Sequence, residues 1–162
     1  MYKRQQPAPV TVDLTELVRE RVAVWAPLAQ ERHIQLLTSS GQASVAATPG
    51  HLEQVLDNLL ANALDVTPAD GQITVSVRQH HDRVSLEVID SGPGMTPAQR
   101  DQAFRRFWTQ PADSPSRDNT SSSGLGLAIV HRLITVDGGT IQLSNVPGLG
   151  LAVQIGLHAA AG

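Results

Sequence analysis

The sequence predicts a two-layer α/β sandwich of the α+β kind, in which a mixed, mostly antiparallel sheet carries about three helices on one face. Three observations point there. Apolar residues recur at helical spacing in three separated stretches, about 14–31, 51–68 and 124–136. Between and after them lie stretches in which apolar and polar residues alternate, as in half-buried strands. The 162 residues are 41% hydrophobic and 17% charged, which suits one soluble domain with one core. Aromatic residues make up only 3%, so Leu, Val, Ile and Ala must fill that core.

Residues 1–8 read as a tail. Val10 and Val12 alternate and suit a short edge strand. Asp13 and Glu16 have capping-box spacing at the start of a first helix, 14–31. Leu14, Leu17, Val18, Val22, Trp25 and Leu28 form its core stripe. Ile34–Thr38 and Ser44–Ala47 are short strand candidates. Thr48 as cap and Pro49 at the first helical position mark a second helix. Its core face is Leu52, Val55, Leu56, Leu59, Ala63 and Val66.

Gln72–Gln79 and Arg83–Ile89 form an antiparallel hairpin, with Ile73, Val75, Val77, Val84, Leu86 and Val88 inward. His80 and His81 fall at its tip, with no third ligand nearby in sequence, and read as exposed rather than metal-binding. Thr96-Pro97-Ala-Gln99 caps a short third helix that ends near Phe104–Trp108. Residues 109–123 are polar and too poor in apolar content to fold alone. Gly124-Leu-Gly-Leu127 opens a last helix, and Gly138-Gly139 ends it. Thr140–Ser144 and Leu151–Leu157 alternate as two closing strands, before a tail at 158–162.

Composition excludes several functions. A net charge of −3 gives no general attraction to nucleic acid or to an anionic membrane, so neither is an expected partner. The absence of Cys removes disulfides, thiolate metal sites and Cys nucleophiles. No apolar run approaches the roughly 18–20 residues of a membrane span. Lys3 is the only lysine. A Walker-type P-loop and the usual protein-kinase site both need a lysine at the phosphates. A nucleoside triphosphate would have to be met here by backbone amides, arginine and metal.

Three features could carry chemistry. Asn58, Asn62 and Asp65 stack at i, i+4 and i+7 on the second helix. At about 100° per residue, that stripe lies on the order of 120° from the centre of the core face. It is either a solvated face or a row of oxygens for a hydrated hard cation such as Mg²⁺ with phosphates. Asp90 ends a buried strand in Asp90-Ser-Gly-Pro-Gly94-Met95. It could accept a hydrogen bond from a base's exocyclic amine, or make an Asx turn. Gly124 and Gly126 open a helix whose free N–H groups could seat phosphate, or they are packing punctuation.

The order of these pieces is more specific than any one of them. Across residues 9–157 the chain resembles the ATP-binding catalytic domain of two-component sensor histidine kinases, in the GHKL (Bergerat-fold) ATPase superfamily. Asn58-Leu-Leu-Ala-Asn62-Ala with Thr67-Pro68 resembles the N box, and Asp90–Met95 the G1 box. Phe104-Arg-Arg-Phe107 is similar to the F box, Gly124–Val130 to the G2 box, and Gly148-Leu-Gly150 to a terminal glycine box.

The resemblance implies ATP and Mg²⁺ as ligands, the nucleotide lying between the Asn helix and a lid at about 108–123. Asn62 would hold the Mg²⁺, with Asn58 facing the phosphates. Asp90 would bind the adenine amine, with Gly92, Gly94 and Met95 lining the base. Ser123, Gly124, Leu125, Gly126 and Leu127 would cradle phosphate. Arg106 would approach the γ-phosphate, beside Phe107 of the same box. The implied partners are a dimerisation domain carrying the phosphoacceptor histidine and, through it, a response regulator. Residues 1–8 would be the remnant of the linker to that domain. The implied location is cytoplasmic, the parent protein sitting in a bacterial inner membrane.

This sequence departs from the family pattern in places. Asp65 and Val66 stand where a basic residue and an aromatic ring often precede the Thr-Pro of the N box. Asp65 could hold water on the metal or repel the triphosphate. Ser122 stands where a further Gly is common, Asp137 replaces a common His, and Leu151 a common Thr. None of His33, His51, His80, His81, His131 and His158 has a phosphoacceptor setting, so the chain reads as a catalytic fragment of a longer protein. The alternatives are a stand-alone anti-sigma-type serine kinase of the same fold and a degenerate nucleotide-binding module.

Overall fold

The computed structural model describes residues 7–103 and 124–160. In chain order the elements are β1 (Val10–Asp13), α1 (Leu14–Glu31), β2 (Gln35–Ser40), β3 (Ser44–Ala47), α2 (His51–Val66), β4 (Gln72–His80), β5 (Arg83–Asp90), α3 (Pro97–Gln102), α4 (Gly124–Val136), β6 (Thr140–Asn145) and β7 (Leu151–His158). The main sheet has five strands in the order β2-β4-β5-β7-β6. Only β2 and β4 run parallel, and the other three pairings are antiparallel. The expected mixed, mostly antiparallel sheet is therefore present, and helices cover one of its faces. β1 and β3 form a separate antiparallel pair.

Alternation gave the hairpin its register. Ile73 faces Asp90 and Val75 faces Val88, so one face of β4 and β5 is apolar. Ile73, Val75, Val77, Val84, Leu86 and Val88 are all buried, with Leu52, Leu56, Leu59 and Leu60 of α2 in the same core. Gly139 sits where α4 turns back to the sheet: a Cβ there would stand 2.6 Å from the Gly156 carbonyl. The last strand goes further than the alternation suggests. It runs through His158, Ala159 bridges to Val45, and the Ala160 N–H donates to the Ser44 carbonyl, so residues 158–160 join the two sheets.

Helix starts differ in how they are satisfied. Asp13 caps α1 by accepting from the Glu16 N–H at 3.0 Å. The Glu16 carboxylate pairs with Arg19, so only half of the expected capping box forms. At α3 both halves form, between Thr96 and Gln99. The start of α2 corrects the expectation. Its N-cap is Gly50, in the left-handed region at φ 85, with no side-chain cap. Thr48 is engaged elsewhere: its hydroxyl donates to Asp137 at 2.6 Å and its N–H to the same carboxylate at 3.1 Å. His51 Nδ1 lies 3.2 Å from that carboxylate too.

Two carboxylates thus fasten α2 to its neighbours. Asp137, just beyond α4, holds the start of α2. Asp57, on α2, takes Nε and Nη2 of Arg21 at 3.0 Å each and Trp25 Nε1 at 2.9 Å from α1. Trp25, read as core, is half-buried with its ring nitrogen engaged. The end of α2 holds a second correction: Val66, read as a core position, is 44% exposed, while Leu60 and Leu64 are buried. The helix stops at Val66, so that side chain lies past the last core turn.

The two fasteners should differ in worth. The Asp137 side chain is 4% exposed, so Asp137→Ala leaves buried donors unpaired and should cost about 2–3 kcal/mol. Asp57 and Arg21 are partly exposed and screened, so Asp57→Ala should cost about 1 kcal/mol. Urea unfolding of both variants checks the ranking, and a larger loss at Asp57 would contradict it.

Candidate functional site

The site is built around the carboxyl end of β5. Asp90 is 4% exposed. Its Oδ1 accepts from the Gly92 N–H at 2.8 Å and from the Leu151 N–H at 3.3 Å. The first bond is the Asx-type turn read from sequence, and the second ties the turn to the start of β7. Both bonds fall on one oxygen, and no donor among the described residues is assigned to Oδ2. Burial raises the Asp90 pKa above its ordinary value, while the Gly92 and Leu151 N–H groups pull it partly back.

Close packing forces the surrounding glycines. A Cβ on Gly150 would stand 2.5 Å from Asp90 Oδ1 and 2.6 Å from the Gly92 carbonyl. A Cβ on Gly92 would meet the Val66 carbonyl, at the end of α2, at 2.5 Å. Gly148-Leu-Gly150 therefore has a defined task at its last residue: it lets the β6–β7 turn close on Asp90. Gly94 is in the left-handed region at φ 77, where glycine is favoured.

On α2, Asn58 and Asn62 are both half-buried. Asn62 lies against the first turn of α4: a Cβ on Gly126 would stand 3.3 Å from Asn62 Oδ1 and 3.5 Å from Nδ2. The stripe thus borders the glycine-rich helix start rather than open solvent. One turn on, the Val66 carbonyl reaches Gly92. A continuous wall runs from Gly126 through Asn62 and the end of α2 to Gly92, Asp90 and Gly150.

Other expected residues behave differently. Asp65 turns toward α1, where its Oδ1 lies 3.6 Å from Arg32 Nη1, and Arg32 also reaches the Leu64 carbonyl at 3.4 Å. Its charge is directed to an arginine rather than standing free on the stripe. Leu127 is 4% exposed and belongs to the core, so only its backbone can face a ligand. Gly124 and Leu125 begin α4. Met95 is half-buried against the core. Arg106, Phe107, Ser123 and the lid at 108–123 lie outside the described residues.

Asn145 escaped the sequence reading. From the last position of β6, its Oδ1 accepts from the Met95 N–H at 3.0 Å and its Nδ2 donates to the Met95 carbonyl at 2.7 Å. Arg100 Nη1 donates to the same carbonyl at 3.0 Å. Nothing local marks Asn145, because its partner is a backbone 50 residues away. Among the described residues, no group of three or more His, Cys, Asp or Glu side chains could hold a metal, and no helix is long and apolar enough to cross a membrane.

A buried carboxylate at a strand end, an Asn-bearing helix and a glycine-rich helix start come together on a two-layer α/β domain. Residues 47–161 match the family described as histidine kinase-, DNA gyrase B-, and HSP90-like ATPase, and the chain belongs to that family. It is 35% identical over 158 residues to the sensor protein CreC of Escherichia coli K12, covering 98% of this chain and 32% of CreC. The chain thus spans about a third of the length of such curated relatives, which are sensor proteins and sensor histidine kinases. Its fold superposes on the mycobacterial sensor histidine kinase MprB with a TM-score of 0.77 at 25% identity, covering 95% of this chain and 99% of that one. Full-length ShkA in complex with AMPPNP gives a TM-score of 0.80 at 28% identity, covering 98% of this chain and 33% of that one.

The raised Asp90 pKa fixes a pH dependence. A carboxyl held above its unfolded value of 3.8 favours the folded state while protonated, and that contribution fades as pH rises through the folded value. Asp90→Asn keeps an acceptor for both N–H groups without a charge to desolvate. Relative to the unsubstituted chain, its stability should improve as pH rises from 3.8 through the raised folded value, and level off above that value. Urea unfolding across that range tests this; a gap that narrows with rising pH would contradict it.

Proposed function

We propose that this chain is the ATP-binding catalytic domain of a two-component sensor histidine kinase. It would bind Mg-ATP and pass the γ-phosphoryl group to a histidine on a dimerisation domain. The observation that carries the reading is the continuous wall from Gly126 and Asn62 to Asp90. It puts amide groups and a helix start at one end and a buried carboxylate, with one oxygen lacking a donor among the described residues, at the other. A nucleotide needs those two kinds of partner.

The residues fit the ligand set. Asp90 Oδ2 would accept from the exocyclic amine of the base, a role unaffected by the two N–H groups on Oδ1. The first-turn N–H groups of α4, freed by Gly124 and Gly126, would donate to phosphate oxygens. Asn62, packed on Gly126, would be the Mg²⁺ ligand, and Asn58 would face the phosphates. The metal, when bound, supplies charge neutralisation at the phosphates. The chain's own part in transfer is to position and to orient donors, with little covalent chemistry of its own. Arg106 at the γ-phosphate belongs to the same reading.

A phosphoacceptor domain is then the direct partner and a response regulator the indirect one. The parent protein would sit in a bacterial inner membrane with this domain on the cytoplasmic side. The serine-kinase alternative is not favoured, because the matching relatives are sensor histidine kinases. Asp65 and Val66 motivated the degenerate-module alternative. The ion pair between Asp65 and Arg32 weakens it, since the carboxylate is partnered.

Two variants separate the ends of the site. Asn62→Ala should abolish Mg-ATP binding while leaving the thermal midpoint nearly unchanged, and unaltered affinity in calorimetry would remove Asn62 from the metal. Asp90→Ala should weaken ATP and ADP by the same factor, since both carry the base; a loss confined to ATP would mean a phosphate role instead.

A further inference from the structure

We propose that Asn145 is the positioning residue of the base end of the site, acting through the backbone of Met95. The inference rests on the nucleotide reading above and adds to it a residue outside the N, G1, F, G2 and glycine boxes.

Beyond Asp90 the chain leaves the sheet. Ile89 is the last β5 residue with an opposite residue on β7, Ala152, so residues 91–96 have no strand beside them. Asn145 supplies what a strand would. In an antiparallel pair, two opposed residues can exchange an N–H···O bond in each direction. The Asn145 carboxamide makes the same exchange with Met95: Oδ1 accepts at 3.0 Å and Nδ2 donates at 2.7 Å. Only a carboxamide offers donor and acceptor together at that spacing; a carboxylate lacks the donor.

Two neighbours are shaped to this contact. A Cβ on Gly94 would stand 2.7 Å from Asn145 Oδ1, so glycine there serves the clamp as well as its positive φ. The second donor to the Met95 carbonyl, Arg100, ties the start of α3 to the same atom. Met95 then packs against the core with its backbone held on both sides. Its position sets the distance between the wall it forms and Asp90, and so the width of the slot for a base. Asn145 is exposed and Met95 half-buried at the rim, so releasing the clamp loosens the turn at the edge of the core.

The test uses the full chain with Asn145→Ala and Asn145→Asp, measuring calorimetric Kd for Mg-ATP and for adenosine alongside amide hydrogen exchange. In Asn145→Ala, both Kd values should rise together, on the order of 10-fold, about the effect of 1.4 kcal/mol. Met95 exchange should quicken while β5 and β7 amides and the thermal midpoint hold. Asn145→Asp keeps the acceptor but turns a carboxylate oxygen toward the Met95 carbonyl, so it should weaken binding at least as much as Asn145→Ala. Unchanged adenosine affinity would overturn the inference. So would faster exchange throughout β5 and β7, which would mark a general structural role. Absence of ATP binding by the unsubstituted chain would instead count against the nucleotide reading, while unaltered Met95 exchange in Asn145→Ala would remove the clamp itself.

Discussion

Burial of the Asp90 carboxylate at the end of a central strand is the constraint on which the site depends. A charge there is unfavourable unless donors are fixed around it. The Gly92 and Leu151 N–H groups meet that need, and both are backbone, so the chain itself must be bent to reach. Gly150 and Gly92 have no side chain because there is no room for one. One carboxylate thereby sets the path of the turn after β5 and the entry of β7, and the end of α2 packs against that turn at Gly92.

The Asn helix is fixed by the same kind of interaction at its other margins. α2 begins without a side-chain cap, yet its first turn is anchored because Asp137 gathers Thr48 and His51. A negative group close to a helix start is also favourable toward the helix dipole. Since Asp137 immediately follows α4, this bond relates α4 to α2 at one end, while Gly126 against Asn62 relates them at the other. The spacing between the amide stripe and the glycine-rich helix start is thereby held at both ends.

What was legible in the sequence follows from the range of each interaction. The β4–β5 hairpin and the three long helices were readable because period and turn signals are local. Parallel pairing of β2 with β4 was not, because periodicity says nothing of strand direction. Thr48 has the chemistry of a cap and sits where a cap belongs, but a carboxylate 89 residues away takes its hydroxyl. Trp25 reads as apolar by spacing, and only Asp57 on another helix reveals its ring nitrogen. In the candidate site, the placement of Asp90 at a strand end and of the Asn residues on one helix stripe was legible because each lies in a local pattern. Asn145 was not, since its partner is a distant main chain that carries no sequence signal.

Asp65 shows how a departure from the family pattern can be absorbed. An unpaired carboxylate on the amide stripe would repel an incoming polyphosphate at short range. At 3.6 Å from Arg32, with both groups partly exposed, the pair contributes only about 0–1 kcal/mol to stability. Its larger effect is on the field, because a cation beside the carboxylate leaves that part of the rim nearly neutral. Asn58 and Asn62 carry no charge, so the stripe as a whole offers oxygens without a net negative potential. A neutral stripe would suit the metal–phosphate ligand proposed above better than a carboxylate cluster would, since phosphates bring negative charge of their own.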